Sequence, residues 1–315
     1  MELCPEDSRC EVEVRYNEPM SRHTTFKVGG TADVWLMPRG DSFPAFCAGL
    51  IYRVRSEEIP VFILGGGANI VVCDKGIRGI VLDMGAWKGE SGESRAAEGE
   101  LVLKSGTVID DAADTAAASG LGGLEFLAGM PGTVGGAVWM NARCYGKEIA
   151  DVLSWVEYID FSGNEEPQIK RITIGDSPVK AGFNYKKSPF QKMDCLILSA
   201  AFILKKCDKE KCLIEMEKNR QDRQDKGHYL FPCAGSAFKN NRDFGKPTGQ
   251  IIDELGLKGR QIGGAQIAPF HGNIIVNTGG ATAADIRALM DEVAAKVKIA
   301  TGFILEPEII FVGDF

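Results

Sequence analysis

The stretch "FILGGGANIVVCDKGIRG", residues 62–79, decides the class of fold. A strand-like apolar run ends directly on Gly65, Gly66 and Gly67, and the chain resumes as "ANIVVCD", again a strand pattern. Glycines at such a junction let several backbone N–H groups converge on an anion. The dinucleotide fingerprint of doubly wound folds requires G-x-G-x-x-G opening a helix, and that arrangement is absent here. A pyrophosphate held by this segment would rest in a loop between two strands. A tight glycine turn with no ligand is the competing reading of one such loop.

Further along, "LAGMPGTVGGAVWMNARCYG", residues 127–146, reads as a second apolar, glycine-rich loop. Gly129, Pro131, Gly132, Thr133, Gly135, Gly136 and Ala137 offer consecutive main-chain groups with little side-chain bulk. The alternative is a close packing corner between a helix and a strand. Two such loops in adjacent lobes favour one long, flat, phosphate-bearing ligand, and a flavin dinucleotide has that shape.

Working outward, "TADVWLMP" reads as a strand and "SFPAFCAGLIYRVRSE" as a helix capped by Ser42. "GIRGIVLDM" is a further strand, and the polar "KGESGESRAAEGE" is a hairpin or domain junction. After the strand "LVLKSG", Thr107 and Asp110 form a capping-box pattern for a helix that stops at Gly120. "VLSWVEYIDFSGN" and "CLILSAAFILKK" are strands around an irregular stretch. A charged helix, "KEKCLIEMEKNRQDRQDKG", opens a third region. Its last helix carries Thr282 and Asp285 as a capping box, with Ile286, Leu289, Met290, Val293 and Val297 as an apolar stripe. The chain finishes on the strand "ILEPEIIFVG". The pattern is α+β with three lobes.

A length of 315 residues exceeds one ordinary core, which agrees with several domains. The net charge of −7 argues against a general nucleic-acid or anionic-membrane binder. No apolar run reaches the roughly 20 residues of a membrane span. The opening "MELCPEDSRCEVEVRYNEP" has no basic region followed by an apolar stretch, so no secretory signal is expected. Nine scattered cysteines without a CxxC read as reduced residues of a cytoplasmic protein, although Cys4 with Cys10, or Cys207 with Cys212, could pair. His23, His228 and His271 lie far apart with no ligand spacing, so no metal site is expected.

Seven segments, in order, carry a close resemblance to a known family: "HTTFKVGGTADV", "LGGGANIVVCDKGIRGIVL", "GLEFLAGMPGTVGGAVWMNARCYGKEIADV", "FNYKKSPFQ", "RQDKGHYLFPCAGSAFKN", "IDELGLKGRQIGGAQIAPFHGNIIVNTGGATAADI" and "LEPEIIFVG". From about residue 20 onward the chain resembles the UDP-N-acetylenolpyruvoylglucosamine reductases. The resemblance implies non-covalent FAD, NADPH as co-substrate and a UDP-sugar substrate, in peptidoglycan precursor synthesis. It implies two lobes, 1–86 and 87–208, forming a vanillyl-alcohol-oxidase-like FAD-binding unit, and a substrate-binding lobe, 209–315. The last strand could pack back on the FAD-binding unit. The glycine loops would then admit the flavin and its pyrophosphate, with Ala68 and Asn69 beside the three glycines. Ala68 replaces the family's usual serine.

The family's reaction reduces an enol ether that bears a carboxylate. Hydride adds to the terminal vinyl carbon, and the neighbouring carbon becomes carbanion-like, its charge spreading into the carboxylate. That chemistry needs a proton donor and electrophilic groups on the carboxylate. By resemblance, Ser236 is the proton donor, Glu308 assists the enolate, and Lys186 stands in a slot that is usually arginine. Glu306 shares a strand face with Glu308, and Lys187 could take the role of Lys186 after a one-residue shift. Lysine supplies charge without the planar two-pronged grip of a guanidinium. Lys226 matches a diphosphate-binding lysine, while Asn240, Gln266, Tyr185 and Ser188 are substrate-contact candidates. Arg143 adds a cation near the second glycine loop. Only "QKMD" separates Phe190 from the next strand, so the chain resembles the shorter subtype without a tyrosine-bearing substrate loop. The alternatives are another FAD-dependent oxidoreductase of this fold acting on a different sugar or alcohol, or a non-catalytic nucleotide binder.

Overall fold

The structure, a computed structural model, describes residues 10–163, 166–175 and 179–315. Cys4 therefore lies outside the described residues, as does Asn164 at the end of one expected strand. The chain runs β1 (Glu11–Pro19), β2 (Thr31–Arg39), α1 (Phe43–Ser56), β3 (Val61–Leu64), β4 (Ile70–Val72) and β5 (Ile77–Asp83). It continues as β6 (Glu100–Lys104), α2 (Ile109–Ala118), β7 (Leu121–Gly122), α3 (Val134–Met140), β8 (Arg143–Cys144), β9 (Lys147–Glu148), β10 (Leu153–Asp160) and β11 (Gln168–Thr173). The last part comprises β12 (Cys195–Ile203), β13 (Lys205–Lys206), α4 (Lys209–Asp225), β14 (Cys233–Ser236), α5 (Thr248–Glu254), β15 (Gln261–Ile262), β16 (Ala265–Ile267), β17 (Ile274–Asn277), α6 (Ala283–Thr301) and β18 (Ile310–Val312). The chain divides into two compact units.

The first unit comprises Met1–Tyr16, Val34–Gly66 and Gly79–Gln221. Two four-stranded sheets build it, in the orders β1-β2-β5-β3 and β11-β10-β12-β6. In the first, β3 pairs with β5 in parallel; in the second, every pairing is antiparallel. The apolar stripe of α1, Phe43, Phe46, Cys47, Leu50, Ile51 and Val54, packs with Leu36, Ile80 and Leu82 of the first sheet and with Ile159, Leu196 and Leu198 of the second. The other face of the second sheet buries Leu101, Leu103, Val156, Ala200 and Phe202 against the alanines of α2 and against Val134 and Val138 of α3. A sheet covered on both faces needs apolar residues at successive positions, which explains the run "LILSAAF", interrupted by the buried Ser199. Residues 88–100 fold back on β6 through the bridges Glu90↔Leu103 and Arg95↔Glu100, so the polar stretch is a hairpin.

The second unit comprises Asn17–Asp33, Gly67–Arg78 and Asp222–Phe315. Its sheet has the order β14-β17-β16-β15, and β18 pairs with β4 in parallel. Ile286, Leu289, Met290, Val293 and Val297 of α6 are buried with Phe26, Phe238, Ile251 and Ile275, as their helical spacing requires.

Several local expectations need correction. Ser42 occupies the cap position of α1, but its hydroxyl makes no capping bond. Thr107 does not cap α2: its hydroxyl accepts the Gly89 N–H at 2.9 Å, and Val108 occupies the cap position. Thr282 does cap α6, in a reciprocal box with Asp285. The expected strand 304–313 shortens to β18 because Pro307, which has no N–H to donate, allows only an isolated bridge to Phe238. The segment after Pro131 was expected to be a loop and is instead the short helix α3 with Thr133 as its cap.

Candidate active site

The glycines of the two loops in the first unit exist partly for each other. A Cβ on Gly66 would come within 2.6 Å of Gly132 Cα, and one on Gly65 within 2.7 Å of Thr133 Oγ1. Gly132 also has a φ of +115°, which side chains rarely adopt. Among the described residues, the N–H groups of Gly65, Gly66, Gly132 and Thr133 enter none of the loop hydrogen bonds. They are available to an anion. The opposite holds further into α3: Val134 and Gly135 donate to Thr107 O and Ser105 O at 2.9 and 2.8 Å, and Ala137 donates to Thr133 O at 2.8 Å. The Gly136 N–H reaches Thr133 Oγ1 at 3.4 Å. Gly135 serves packing, since a Cβ there would meet Ser105 Cβ at 2.9 Å. Gly129 donates to Asp110 Oδ1 at 2.8 Å, and Pro131 carries no N–H. Among the described residues, the one buried side-chain oxygen without a hydrogen-bond partner is Ser105 Oγ, beside this corner.

In the second unit, Ser236 ends β14 opposite Ile274. The next residue, Ala237, accepts the Glu308 N–H at 2.9 Å, so the backbones carrying Ser236 and Glu308 are neighbours. Asn273, fully buried, clamps this segment by accepting the Phe238 N–H at 3.0 Å and donating to Phe238 O at 2.7 Å. The two candidate glutamates differ sharply. Glu306 is exposed and ion-paired with Lys239, whereas Glu308 is 8% exposed. Asn69 joins the end of the first glycine loop to the same segment: its side chain donates to Glu308 O at 3.1 Å, and its carbonyl accepts the Ile310 N–H at 3.0 Å. Gly67 sits against His23 O, where a Cβ would stand 2.0 Å away, and Ala68 follows it, half-buried.

Lys186 belongs to the first unit. It is in the left-handed region, φ 56°, at the tip of a tight turn closed by reciprocal Asn184–Lys187 backbone bonds of 3.0 Å. The Lys186 carbonyl accepts Gln191 Nε2 at 3.1 Å. Lys186 is half-buried and Lys187 exposed. Tyr185, in the same turn, lies under the Arg143 guanidinium at 5.9 Å. Arg143 also faces Glu148 at 4.0 Å. Ser188 is buried with its hydroxyl donating to Trp139 O at 2.7 Å, a bond that ties the turn to α3.

The remaining candidates of the second unit are spread out. Lys226 is exposed and paired with Asp222 at 2.7 Å. Asn240 accepts the Thr248 N–H at 2.9 Å, and Gln266 donates to Gly259 O and Gln261 Oε1 at 3.3 and 3.1 Å. His228 and His271, separate in the sequence, have ring centroids 6.4 Å apart. Burial, with Arg223 and then His271 and Lys226, pushes His228 down to about 4, and burial lowers His271 as well. Sequence reasoning missed this pair, Asn273 and Ser105, because no local motif links them.

Two parts of the chain match family profiles. Residues 48–166 match the FAD binding domain, and residues 225–312 match the C-terminal domain of UDP-N-acetylenolpyruvoylglucosamine reductase. Fold and profiles together define a flavoprotein class with a dedicated C-terminal domain. A curated UDP-N-acetylenolpyruvoylglucosamine reductase of Borreliella burgdorferi is 41% identical over 295 residues, 93% of each chain. The enzyme of that name from Treponema denticola is 39% identical, covering 96% of this chain and 94% of its own. The crystal structure of UDP-N-acetylenolpyruvylglucosamine reductase from Thermus caldophilus superposes with a TM-score of 0.74 at 30% identity, covering 96% of this chain and all of that one. The chain belongs to the UDP-N-acetylenolpyruvoylglucosamine reductase family.

Proposed function

We propose that this protein reduces UDP-N-acetylglucosamine enolpyruvate to UDP-N-acetylmuramate with NADPH, through non-covalent FAD, in peptidoglycan precursor synthesis. The observation that carries the reading is membership of the reductase family over 93% of the chain. We place the reaction in the cytoplasm, and we link its product to cell-wall growth, shape and division. Among the described residues no helix is long and apolar enough to cross a membrane. We further propose that residues 1–86 and 87–208 serve FAD and 209–315 the sugar nucleotide.

The first unit fits a dinucleotide on its own evidence. Among the described residues, four main-chain N–H groups enter none of the loop backbone hydrogen bonds, and glycine at 66 and 132 clears the space beside them. We assign the pyrophosphate to the N–H groups of Gly65, Gly66, Gly132 and Thr133, and we give Gly129, Pro131, Gly135, Gly136 and Ala137 the role of keeping the corner narrow. Gly67, Ala68 and Asn69 complete the first loop. When bound, FAD carries reducing equivalents from NADPH to the vinyl carbon of the substrate.

The residues of the chain then manage charge and a proton. Ser236 donates the proton to the carbon next to the carboxylate; its hydroxyl is a weak acid, so the alkoxide needs nearby positive charge. Glu308, shielded from water, hydrogen-bonds the developing enolate as a carboxylic acid. Lys186 places a cation on the substrate carboxylate, where charge is worth more than in water. Lys226 is assigned to the diphosphate, and Asn240, Gln266, Tyr185 and Ser188 to shaping the sugar-nucleotide site. The short connection "QKMD" leaves no room for a tyrosine-bearing loop.

The deciding experiment is NADPH oxidation by the purified yellow protein with and without the enolpyruvyl sugar nucleotide. Oxidation that responds only to a different sugar or alcohol would transfer the protein to another flavin oxidoreductase of this fold. A colourless preparation that binds nucleotide without turnover would leave a binding protein.

A further inference from the structure

In the first unit, three metal-ligand atoms of residues given no role in FAD or substrate binding converge. A carboxylate oxygen of Glu125, Cys207 Sγ and Cys212 Sγ all lie within 4.8 Å of one another. They come from three elements. Glu125 follows β7, Cys207 follows β13, and Cys212 lies in the first turns of α4. The pairing of β7 with β13, Gly122 against Lys205 and Leu121 against Lys206, sets the first two side by side, and Cys207 N–H donates to Gly120 O at 2.9 Å. Glycine is required at 122: a Cβ there would stand 2.7 Å from Glu125 Oε1 and 2.8 Å from Cys207 Cβ.

The Glu125 carboxylate is the informative member. Only 6% of the residue is exposed. The Gly123 N–H donates to its two oxygens at 3.0 and 2.9 Å. Among the described residues it makes no ion pair, although buried carboxylates usually have a compensating cation. Its position is fixed from behind, since Asn219 Nδ2 donates to Glu125 O at 2.9 Å and Tyr145 Oη donates to Asn219 O at 3.1 Å. The buried carboxylate therefore stands beside two thiols, of which Cys212 is buried and Cys207 half-buried.

We propose that Glu125, Cys207 and Cys212 bind one thiophilic divalent cation of the zinc class, outside the catalytic machinery. Cysteine sulfur and carboxylate oxygen are both zinc donors, and three protein ligands leave one position of a tetrahedron for solvent. Binding expels both thiol protons to the solvent, and the dication with two thiolates and one carboxylate carries a net charge of −1. Protons compete for the sulfurs, so affinity rises with pH. The sequence hides the site because its two cysteines are not in a CxxC and the third ligand is more than 80 residues upstream.

The test uses the reduced, chelator-treated protein with its flavin bound. Equilibrium dialysis against zinc should give one equivalent per chain, and cadmium should produce an ultraviolet thiolate-to-metal charge-transfer band. Cys207→Ser, on the half-exposed side, should lose about half of that band. Cys207→Ser and Glu125→Gln should each weaken zinc at least about tenfold, on the scale of lost support in metal sites. Zinc should also raise the unfolding temperature of the wild type more than that of Cys207→Ser. Uptake equal in wild type and Cys207→Ser would overturn the proposal, as would a cadmium band undiminished in that variant. Thiols at 207 and 212 that titrate only after reduction would identify a disulfide pair and overturn it too.

Discussion

Glu306 and Glu308 are two residues apart and live in different media: one is exposed beside Lys239, the other is shielded from water next to the segment that carries Ser236. That contrast gives Glu308 the better claim to chemistry. For Ser236→Ala, flavin bleaching by NADPH should proceed almost normally, while reoxidation by substrate should slow by about 10² or more, the scale of a lost proton donor. Rapid-mixing absorbance of the two half-reactions reads this directly, and equal slowing of both would point to a structural role. Lys186→Met should cost about 2–4 kcal/mol of transition-state stabilisation, as for one lost oxyanion donor, and Lys186→Arg should keep substantial activity. The exposed Lys187 is the control; damage from Lys187→Met with a silent Lys186→Met would shift the role by one residue. His228 sets a pH dependence. Burial, with Arg223, keeps it neutral in the folded chain down to about 4, so on acidification the unfolded chain binds the proton first, near 6.5. Its contribution is therefore present above pH 6.5 and is lost as pH falls toward about 4. The ceiling is about 3 kcal/mol, reduced by the residue's partial exposure. Asp160 and Glu292, held at about 2, act below their ordinary 3.8 and 4.5, so urea midpoints between pH 6.5 and 4.5 report the histidines. A flat stability over that range, or one unchanged in slope by His228→Gln, would contradict the assignment.

At the scale of elements, the corner between the two glycine loops should be intolerant of a single methyl group. Gly66→Ala puts a Cβ within 2.6 Å of Gly132 Cα, and backbone cannot rotate away as a flexible side chain can. The purified variant should carry much less flavin than wild type, measured as the ratio of flavin to protein absorbance; a full complement of flavin would remove the corner from the FAD site. The helix caps show what local sequence can reveal. The Thr282–Asp285 box of α6 is legible because both partners lie within one turn. Asp74 reinforces the same helix start by accepting the Ala283 and Ala284 N–H groups at 2.8 and 3.0 Å, and no local signal announces that bond across more than 200 residues. The failed Thr107 cap has the same origin, since Gly89 competes for the hydroxyl from a distant hairpin.

Over the whole molecule, the cysteines bear on how FAD is held. All eight described cysteines are free. Cys73, after β4, is buried and donates to Gly76 O at 3.1 Å, which leaves it no freedom to form a tether. Cys144, the other cysteine near a glycine loop, is half-buried in the two-residue β8. Acid or heat denaturation should release all yellow colour into the supernatant; colour retained by the precipitated chain would mean a covalent flavin.

The sequence by itself determined the parts that depend on neighbours in the chain: the glycine loop between two strands, the α6 cap and apolar stripe, and the seven ordered motifs that carry the family. Local periodicity and close spacing encode these, because a helix face or a turn is built from residues a few positions apart. It also pointed to Ser236 and Glu308 through those motifs. Tertiary structure alone decided which groups those residues meet. It turned the segment after Thr133 into a helix whose early N–H groups are already bonded to Ser105 and Thr107. It separated Glu306 from Glu308 by burial, paired His228 with His271, and drew Glu125 to Cys207 and Cys212. Each of those outcomes rests on contacts between segments far apart in the chain, and the free energy of such contacts depends on packing and exclusion of water, which no local pattern of residues specifies.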